Sequence, residues 1–301
     1  MPTVLVTGAT GLIGKHLLPL LKANGFRIHL LSRTVQPYPN ADAVFKWNVN
    51  AGEIDLAALE GVTHVIHLAG AGIADERWTE ARKKEILHSR VKSAALIRDA
   101  LTKRNQHIDA FISASAIGWY GSITDTHLHQ EDELAAEDFL GETCRLWEQA
   151  ADGFSDVAQR IVKIRTGVVL SKEAGALPQM MKPFQFYVGS VLGSGKQQIQ
   201  WIHIQDIARV FATACFDSSW KGAYNASATE SCTNRAFSKA LAQGMHRPLF
   251  PVSVPSFVLK ALLGEMSTIV LEGSRVSNQK IRATGFTFQF TQLEEALKDL
   301  I

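Results

Sequence analysis

Short apolar runs alternate with longer amphipathic stretches through the first half of the chain. The short runs are rich in β-branched and apolar residues and predict strands over residues 3–7, 27–32, 43–48, 64–69, 109–115 and 161–170. Apolar residues at helical spacing between them predict helices over residues 12–23, 79–104 and 139–151. Because parallel strands are joined by right-handed helical crossovers, this order predicts an α/β fold with a Rossmann-type, doubly wound parallel sheet.

The pattern changes after about residue 170. Glycine and proline become frequent, and the remaining strands, over residues 198–202 and 223–226, are short. Helices are expected over residues 206–215, 234–244 and 293–300, and we interpret Asp206 as the cap of the first, with a role at the joint between lobes as the alternative. We therefore predict two units, a Rossmann domain over residues 1–170 and a smaller, mixed C-terminal lobe over residues 171–301.

Composition and charge indicate whether nucleic acid or a membrane surface is a partner of the protein. The 31 basic and 29 acidic residues of the 301-residue chain nearly balance and give a net charge of +2. This balance favours neither nucleic acid nor an anionic membrane as a partner. The densest basic run, at residues 82–84, falls inside a predicted helix, and we interpret it as a solvated face.

Cysteine usage and the start of the chain bear on the compartment. The three cysteines are far apart and form no C-x-x-C pair, which argues against a disulfide framework or a cysteine zinc site. The chain enters its first strand without a basic leader, and its apolar runs are too short to span a bilayer. We therefore expect a cytoplasmic protein.

Three glycines separate the first predicted strand from the first predicted helix, in the stretch TGATGLIG. Gly8 permits a tight turn, Gly11 lets the backbone approach a diphosphate, and Gly14 lets the helix lie close to the strand. The free N–H groups at the positive end of the helix then favour an anion. The predicted contacts with a dinucleotide are Gly8, Thr10, Gly11, Leu12, Ile13 and Gly14.

The end of the second predicted strand bears on which nicotinamide dinucleotide binds. An acidic residue there would bind the adenosine ribose 2′-hydroxyl of NAD(H), but the strand ends in Ser32 and Arg33 without a carboxylate. Arg33 follows Gly14 by 19 residues, where a guanidinium can hold a 2′-phosphate through paired hydrogen bonds. The residues therefore favour NADP(H) over NAD(H).

A second segment of small residues ends the fourth predicted strand at the same crevice. Leu68, Ala69 and Gly70 allow the backbone to lie against the ribose and diphosphate of the cofactor. His64 and His67 precede them, but an odd separation along a strand places these two histidines on opposite faces. We interpret both as core or surface histidines, and we predict no metal site.

Four segments match the motifs of one enzyme clan: TGATGLIG at residues 7–14, HLAG at 67–70, SASAIGWYG at 113–121 and WIHIQDIA at 201–208. Through them the chain resembles the extended short-chain dehydrogenase/reductases, the clan of the sugar-nucleotide epimerases. The resemblance runs nearly end to end and is closest to the atypical branch of epimerase-family proteins, whose distinctive C-terminal region corresponds to about residues 248–300. It implies Gly167 and Val168 as further contacts with the nicotinamide.

The chemistry that this resemblance implies depends on a tyrosine followed four residues later by a lysine. The lysine and the nicotinamide charge lower the pKa of the phenol, which can then exchange a proton with the substrate oxygen. None of the four tyrosines in this chain is followed by such a lysine. At the corresponding positions, Phe139 or Leu140 replaces the tyrosine and Thr143 or Cys144 replaces the lysine.

Two other residues remain candidates for catalysis. Ser115 could hydrogen-bond a substrate oxygen, or it could satisfy backbone groups at the end of a strand. Tyr120 could replace the missing acid, or it could pack in a turn. We expect an NADP(H)-dependent oxidoreductase or epimerase-like protein that acts on a small molecule. The alternative is a non-catalytic NADP(H)-binding sensor or regulatory protein.

Overall fold

A computed structural model describes residues 1–122, 124 and 126–301 of the chain. The strands are β1 (Thr3–Thr7), β2 (Arg27–Ser32), β3 (Ala43–Asn48), β4 (Glu53–Ile54), β5 (Val62–His67), β6 (Ile108–Ala116), β7 (Leu128–His129), β8 (Ala158–Thr166), β9 (Val168–Leu170), β10 (Gln198–Ile199), β11 (Trp201–His203), β12 (Gly222–Ala226), β13 (Cys232–Thr233) and β14 (Arg275–Val276). The α-helices are α1 (Leu12–Ala23), α2 (Glu80–Lys103), α3 (Phe139–Asp152), α4 (Ala176–Gln185), α5 (Ile204–Phe216), α6 (Asn234–Gly244), α7 (Ser256–Leu263), α8 (Thr268–Leu271), α9 (Gln279–Ala283) and α10 (Leu293–Leu300). Within these residues, no helix has both the length and the apolar character that crossing a membrane requires.

Eight strands of the described chain form one central sheet, in the order β12-β8-β6-β5-β1-β2-β3-β4. Neighbouring strands run parallel except at the edge, where β4 is antiparallel to β3. Strands β2, β3 and β4 lie on one side of β1. The chain then crosses to the other side of β1, where β5, β6, β8 and β12 follow. The strand order therefore reverses between β1 and β5, where ligands of doubly wound sheets bind. The predicted α/β, doubly wound fold is confirmed.

The sheet is buried on both faces because side chains along a strand alternate between them. Val4 and Val6 of β1 are packed in one apolar cluster with Leu17 of α1 and Phe211 of α5. Leu5 belongs instead to a second cluster, which contains apolar residues of α2 and α3. The continuous apolar run of β1, which predicts the strand from sequence, is what burial on both faces requires.

The strand predicted over residues 161–170 is two strands. β8 stays in the central sheet, whereas β9 leaves it and pairs with β11. The break lies at Gly167, where a Cβ would come within 2.6 Å of the carbonyl oxygen of Gln200. β12, which lies beyond residue 170, completes the sheet beside β8. The sheet thus draws on both sides of the predicted boundary, and the division into two domains stays a prediction.

The predicted cap of α5 is wrong. The helix begins two residues earlier than expected, and the His203 side chain accepts the capping hydrogen bond. Asp206 lies in the first turn, fully buried, and its carboxylate accepts hydrogen bonds from the N–H groups of Gln289 and Phe290 at 2.8 and 2.9 Å. Asp206 therefore joins α5 to the segment before α10. This contact agrees with the alternative interpretation of Asp206, a role at a joint, rather than with a cap.

The basic run at residues 82–84 is not a uniformly solvated face. Arg82 is buried, and its guanidinium donates to the Glu85 carboxylate and to the carbonyl oxygen of Gly72, each at 2.7 Å. It holds the first turn of α2 against the loop that follows β5. The interpretation as solvated surface is wrong for this residue, because a sequence does not show which loop a helix packs against.

Candidate dinucleotide-binding site

The glycine turn between β1 and α1 is tightly closed. Gly8 has a φ of +68°, and the Gly11 N–H donates to the Gly8 carbonyl oxygen at 2.9 Å. A Cβ on Gly8 would lie 2.7 Å from the carbonyl carbon of Leu68, and a Cβ on Gly14 would lie 2.4 Å from the carbonyl oxygen of Ala9. Both positions therefore need glycine, Gly8 for its conformation and both for the close approach of backbone.

The start of α1 presents N–H groups at the carboxyl edge of the sheet. Gly11 is the N-cap, and no side chain among the described residues caps the helix. The first turn contains no acidic residue, and Thr10 beside it is exposed. Leu12 and Ile13 are half-buried against the core. Because uncapped N–H groups at the positive end of a helix attract anions, this turn suits a diphosphate.

The loop after β5 forms a second wall beside the turn. The Leu68 N–H donates to the Thr7 carbonyl oxygen, and the Ala69 N–H donates to Thr7 Oγ1, both at 3.2 Å. Thr7 is fully buried, so these bonds fix the loop at the end of β1. Gly70 follows and is exposed. The structure therefore brings Leu68, Ala69 and Gly70 to the same edge of the sheet as the glycine turn.

Ser32 and Arg33 lie at this edge as well. The register of β1 with β2 places Thr7 opposite Leu31, so the two residues follow directly beside the glycine turn. Ser32 Oγ accepts a hydrogen bond from the N–H of Thr34 at 3.3 Å. The Arg33 side chain is exposed and has no hydrogen bond or ion pair with any residue that the structure describes. Its guanidinium is therefore available to a ligand in the crevice.

Gly167 and Val168, which the family resemblance implies as nicotinamide contacts, follow the carboxyl end of β8. The Gly167 N–H donates to the carbonyl oxygen of Ala226 at 3.0 Å, and the Val168 N–H donates to that of Gln200 at 2.8 Å. Gly167 is buried and Val168 is half-buried. Because both N–H groups are engaged within the protein, Val168 can offer a ligand its side chain rather than a backbone donor.

Arg90 of α2 is a candidate site residue that the sequence pattern does not reveal. Its Cζ lies 3.0 Å from the position of a Cβ on Gly70 and 4.7 Å from the centre of the Trp147 ring. Nη1 donates to the carbonyl oxygens of Ala71 and Ile86 at 3.1 and 2.8 Å. Burial lowers the pKa of Arg90 from its ordinary value to about 10, so the guanidinium is still a cation at neutral pH. A poorly solvated cation beside Gly70 favours a negatively charged ligand there.

Ser115 and Tyr120 belong to one buried network. Ser115 Oγ donates a hydrogen bond to the Glu148 carboxylate at 2.8 Å. The Arg165 guanidinium donates to both oxygens of the same carboxylate, at 2.8 and 3.1 Å. The same guanidinium donates to Tyr120 Oη at 2.9 Å, and Tyr120 donates to the side-chain oxygen of Asn225 at 2.8 Å. The structure therefore brings the two catalytic candidates together, around an internal ion pair.

The surroundings of Tyr120 set its protonation state. Burial raises the pKa of Tyr120 to about 12, although the charge and hydrogen bond of Arg165 oppose the rise. A phenol with such a pKa is protonated at neutral pH, is a weaker acid than an ordinary tyrosine, and has very little of the phenolate form that could act as a base. This is the opposite of the lowered pKa that the tyrosine–lysine pair would produce.

Helix α3 turns Leu140 and Cys144 towards the end of β6. A Cβ on Gly118 would lie 3.3 Å from Leu140 Cβ, and Cys144 Sγ donates to the carbonyl oxygen of Ala116 at 3.6 Å. The sequence left open which residues replace the tyrosine and the lysine. In the structure Leu140 and Cys144 face the end of β6, where the tyrosine–lysine pair would act. Burial raises the pKa of Cys144 to about 12, so its thiol is neutral and does not replace the lysine cation.

Comparison with known families matches two regions of the chain. Residues 4–226 match the NAD dependent epimerase/dehydratase family, and this region spans the central sheet and the candidate site. Residues 254–300 match a domain of unknown function, DUF1731. The second match falls within the distinctive C-terminal region, about residues 248–300, that the family resemblance implies.

Relatives match over nearly the whole length. Epimerase family protein YfhF of Bacillus subtilis is 33% identical over 298 residues, which cover 99% of this chain and 97% of that protein. The chloroplastic homologue of epimerase family protein SDR39U1 of Arabidopsis thaliana is 37% identical over 309 residues, covering 99% of this chain and 86% of that protein. The crystal structure of human epimerase family protein SDR39U1 (isoform 2) with NADPH superposes with a TM-score of 0.87 at 33% identity, over 99% of this chain and 98% of that one. The chain therefore belongs to the NAD dependent epimerase/dehydratase family of nicotinamide-dinucleotide-binding proteins.

Proposed function

We propose that the protein is an NADP(H)-dependent oxidoreductase or epimerase-like enzyme that acts on a small molecule. The observation that carries the proposal is that the glycine turn and the exposed, unpaired Arg33 of the described structure lie at one edge of the sheet, at the ends of β1 and β2. The human relative crystallised with NADPH supports the phosphorylated dinucleotide. The turn from Gly8 to Gly14 would hold the diphosphate and Arg33 the 2′-phosphate, and the cofactor would supply or accept hydride.

Arg33→Ala is expected to weaken NADPH binding much more than NADH binding, because NADH lacks the 2′-phosphate. One hydrogen-bonded charge contributes about 1.5–3 kcal/mol, which corresponds to a roughly 10- to 150-fold increase in the Kd for NADPH. Isothermal titration calorimetry measures both affinities. Arg27→Ala, at the exposed opposite end of β2, is the matched control and should leave both unchanged. Equal losses for the two dinucleotides in Arg33→Ala would show that Arg33 does not bind the phosphate.

A reaction at this site would need a proton donor other than the missing tyrosine–lysine pair. We propose Ser115 and Tyr120 for these roles. Ser115 would orient the substrate oxygen, with Glu148 fixing the direction of its hydroxyl. Tyr120, which is protonated at neutral pH but is a weaker acid than an ordinary tyrosine, would donate the proton.

A non-catalytic NADP(H)-binding sensor or regulatory protein is the second candidate function. The observation that favours it is the position of Leu140 and Cys144 at the end of β6. An aliphatic side chain and a neutral, buried thiol cannot perform the acid–base chemistry of the pair that they replace. The two candidate functions share the cofactor site and differ only in turnover.

Identification of any co-purifying cofactor, followed by assays of NADPH oxidation with a panel of aldehydes and ketones, separates the two. An enzyme should show turnover that falls by about 100-fold or more in Ser115→Ala or Tyr120→Phe, with NADPH affinity retained. Tyr187→Phe, at an exposed tyrosine, is the control and should keep full turnover. Tight NADPH binding without turnover on any carbonyl compound would favour the sensor.

A further inference from the structure

Two imidazoles and a carboxylate converge in the segment over residues 127–133, which contains β7. His129 Nδ1 lies 2.6 Å from Glu133 Oε2, and His127 Nε2 lies 3.1 Å from Glu133 Oε1. One nitrogen or oxygen atom of each side chain lies within 4.8 Å of the other two. In the part of the chain that the structure describes, no other three side chains of the metal-ligating types converge to this degree. The function proposed above uses none of these three residues.

The backbone around the cluster is held in place. His129 belongs to β7, which pairs with β14, and its carbonyl oxygen accepts a hydrogen bond from the Ser277 N–H at 2.8 Å. The His129 ring is buried and stacks on Tyr120, with the ring centres 4.8 Å apart. The Gln130 N–H donates to Glu133 at 2.7 Å, which fixes the turn that carries the carboxylate. An ion would therefore meet donors that are already ordered, which lowers the entropy cost of binding it.

The donor set suits zinc. Two imidazole nitrogens and one carboxylate oxygen form a three-ligand site for Zn²⁺ that leaves the fourth position to water. Bonds of about 2.0–2.2 Å place tetrahedral ligand atoms roughly 3.3–3.5 Å apart, so the donors here are within about 1.5 Å of that spacing. Calcium and magnesium take oxygen ligands instead, so the two imidazoles argue against both.

We propose that His127, His129 and Glu133 bind a Zn²⁺ ion. The ion would replace the protons between the imidazoles and the carboxylate and would fix the segment over residues 127–133. All three ligands lie within residues 4–226, and zinc would brace β7, the strand that pairs with β14 of residues 254–300. This site departs from the prediction of no metal, which rested on the histidines of the fourth predicted strand and on the cysteines.

Calorimetric titration of the full-length, chelator-treated, tag-free protein with ZnCl₂ tests the site. We expect one Zn²⁺ per chain, and a higher Tm in the presence of zinc because the ion binds the folded state. His127→Gln and Glu133→Gln should each weaken zinc binding about tenfold or more. His107→Gln, at an exposed histidine in another loop, is the matched control and should bind zinc as the unaltered protein does.

Three results would overturn the zinc site: less than one equivalent bound, undiminished binding in both ligand variants, or an equal loss in His107→Gln. The last would indicate adventitious binding by surface histidines. If Glu133→Gln does not fold, His127→Gln decides alone, since the His127 side chain is more than half exposed and its removal spares the core. NADPH affinity, measured on the same samples, reports separately on the proposed function.

Discussion

Gly14→Ala is expected to weaken NADPH binding by at least about tenfold and to lower the free energy of unfolding by about 1–3 kcal/mol, the range for overpacking a close contact. A Cβ at this position would lie 2.4 Å from the carbonyl oxygen and 2.5 Å from the Cα of Ala9. Both atoms are backbone, so α1 and the turn must move apart. That movement displaces the N–H groups that would bind the diphosphate. Calorimetry and urea denaturation measure the two effects.

The matched control is Gly244→Ala at the end of α6. A Cβ there would come within 3.3 Å of one atom, the side-chain Cδ1 of Ile301, which can move. We expect unchanged NADPH affinity and little change in stability. Gly14→Ala protein that binds NADPH like the unaltered chain would mean that the helix start does not hold the cofactor.

Glu148→Gln is expected to destabilise the protein by about 3–5 kcal/mol, because it leaves a buried guanidinium without its counter-charge. Glu148 and Arg165 are both almost completely buried, and two hydrogen bonds join them. Burial alone would lower the pKa of Arg165, but the hydrogen bonds and charge of Glu148 outweigh it and hold the pKa above its ordinary value. Arg165 would stay charged after the substitution, because a guanidinium keeps its proton in proteins even when its partner is neutral. Urea denaturation measures the loss.

Glu142→Gln on the same helix provides the control. Glu142 pairs with Arg145 on the surface, where both side chains are nearly half exposed and water screens their charges, so the pair contributes little to stability. Because the substitution and the helix are the same, the difference in unfolding free energy between the two variants measures the effect of burying the ion pair. Similar small losses in both variants would show that the Arg165 network does not stabilise the fold.

The features of the candidate site that are local in sequence could be predicted. Gly8, Gly11 and Gly14 are close neighbours whose requirements are a turn and a close approach of backbone. Arg33 follows from the same logic, because consecutive strands joined by one helix lie side by side. Arg90 could not be predicted, since its side chain reaches Gly70 only through the way in which α2 packs on the sheet.

In the fold, too, the features that depend on contacts between distant residues could not be predicted. The strands of the central sheet that lie in the first half of the chain follow from continuous apolar runs, apart from the two-residue β4. The division of residues 161–170 at Gly167 depends on a carbonyl group more than thirty positions away. β7 and β14 have two residues each and exist only because they pair with each other. Asp206 resembles a cap in the sequence because the backbone N–H groups that it binds, those of Gln289 and Phe290, are more than eighty positions away.

The central claim is that the start of α1, with Arg33 beside it, binds a phosphorylated nicotinamide dinucleotide. Calorimetric titration of the cofactor-free, folded protein with NADPH and with NADH tests it most directly. We expect one NADPH per chain, bound more tightly than NADH. No binding of either dinucleotide, with equilibrium dialysis as an independent check, would contradict the claim.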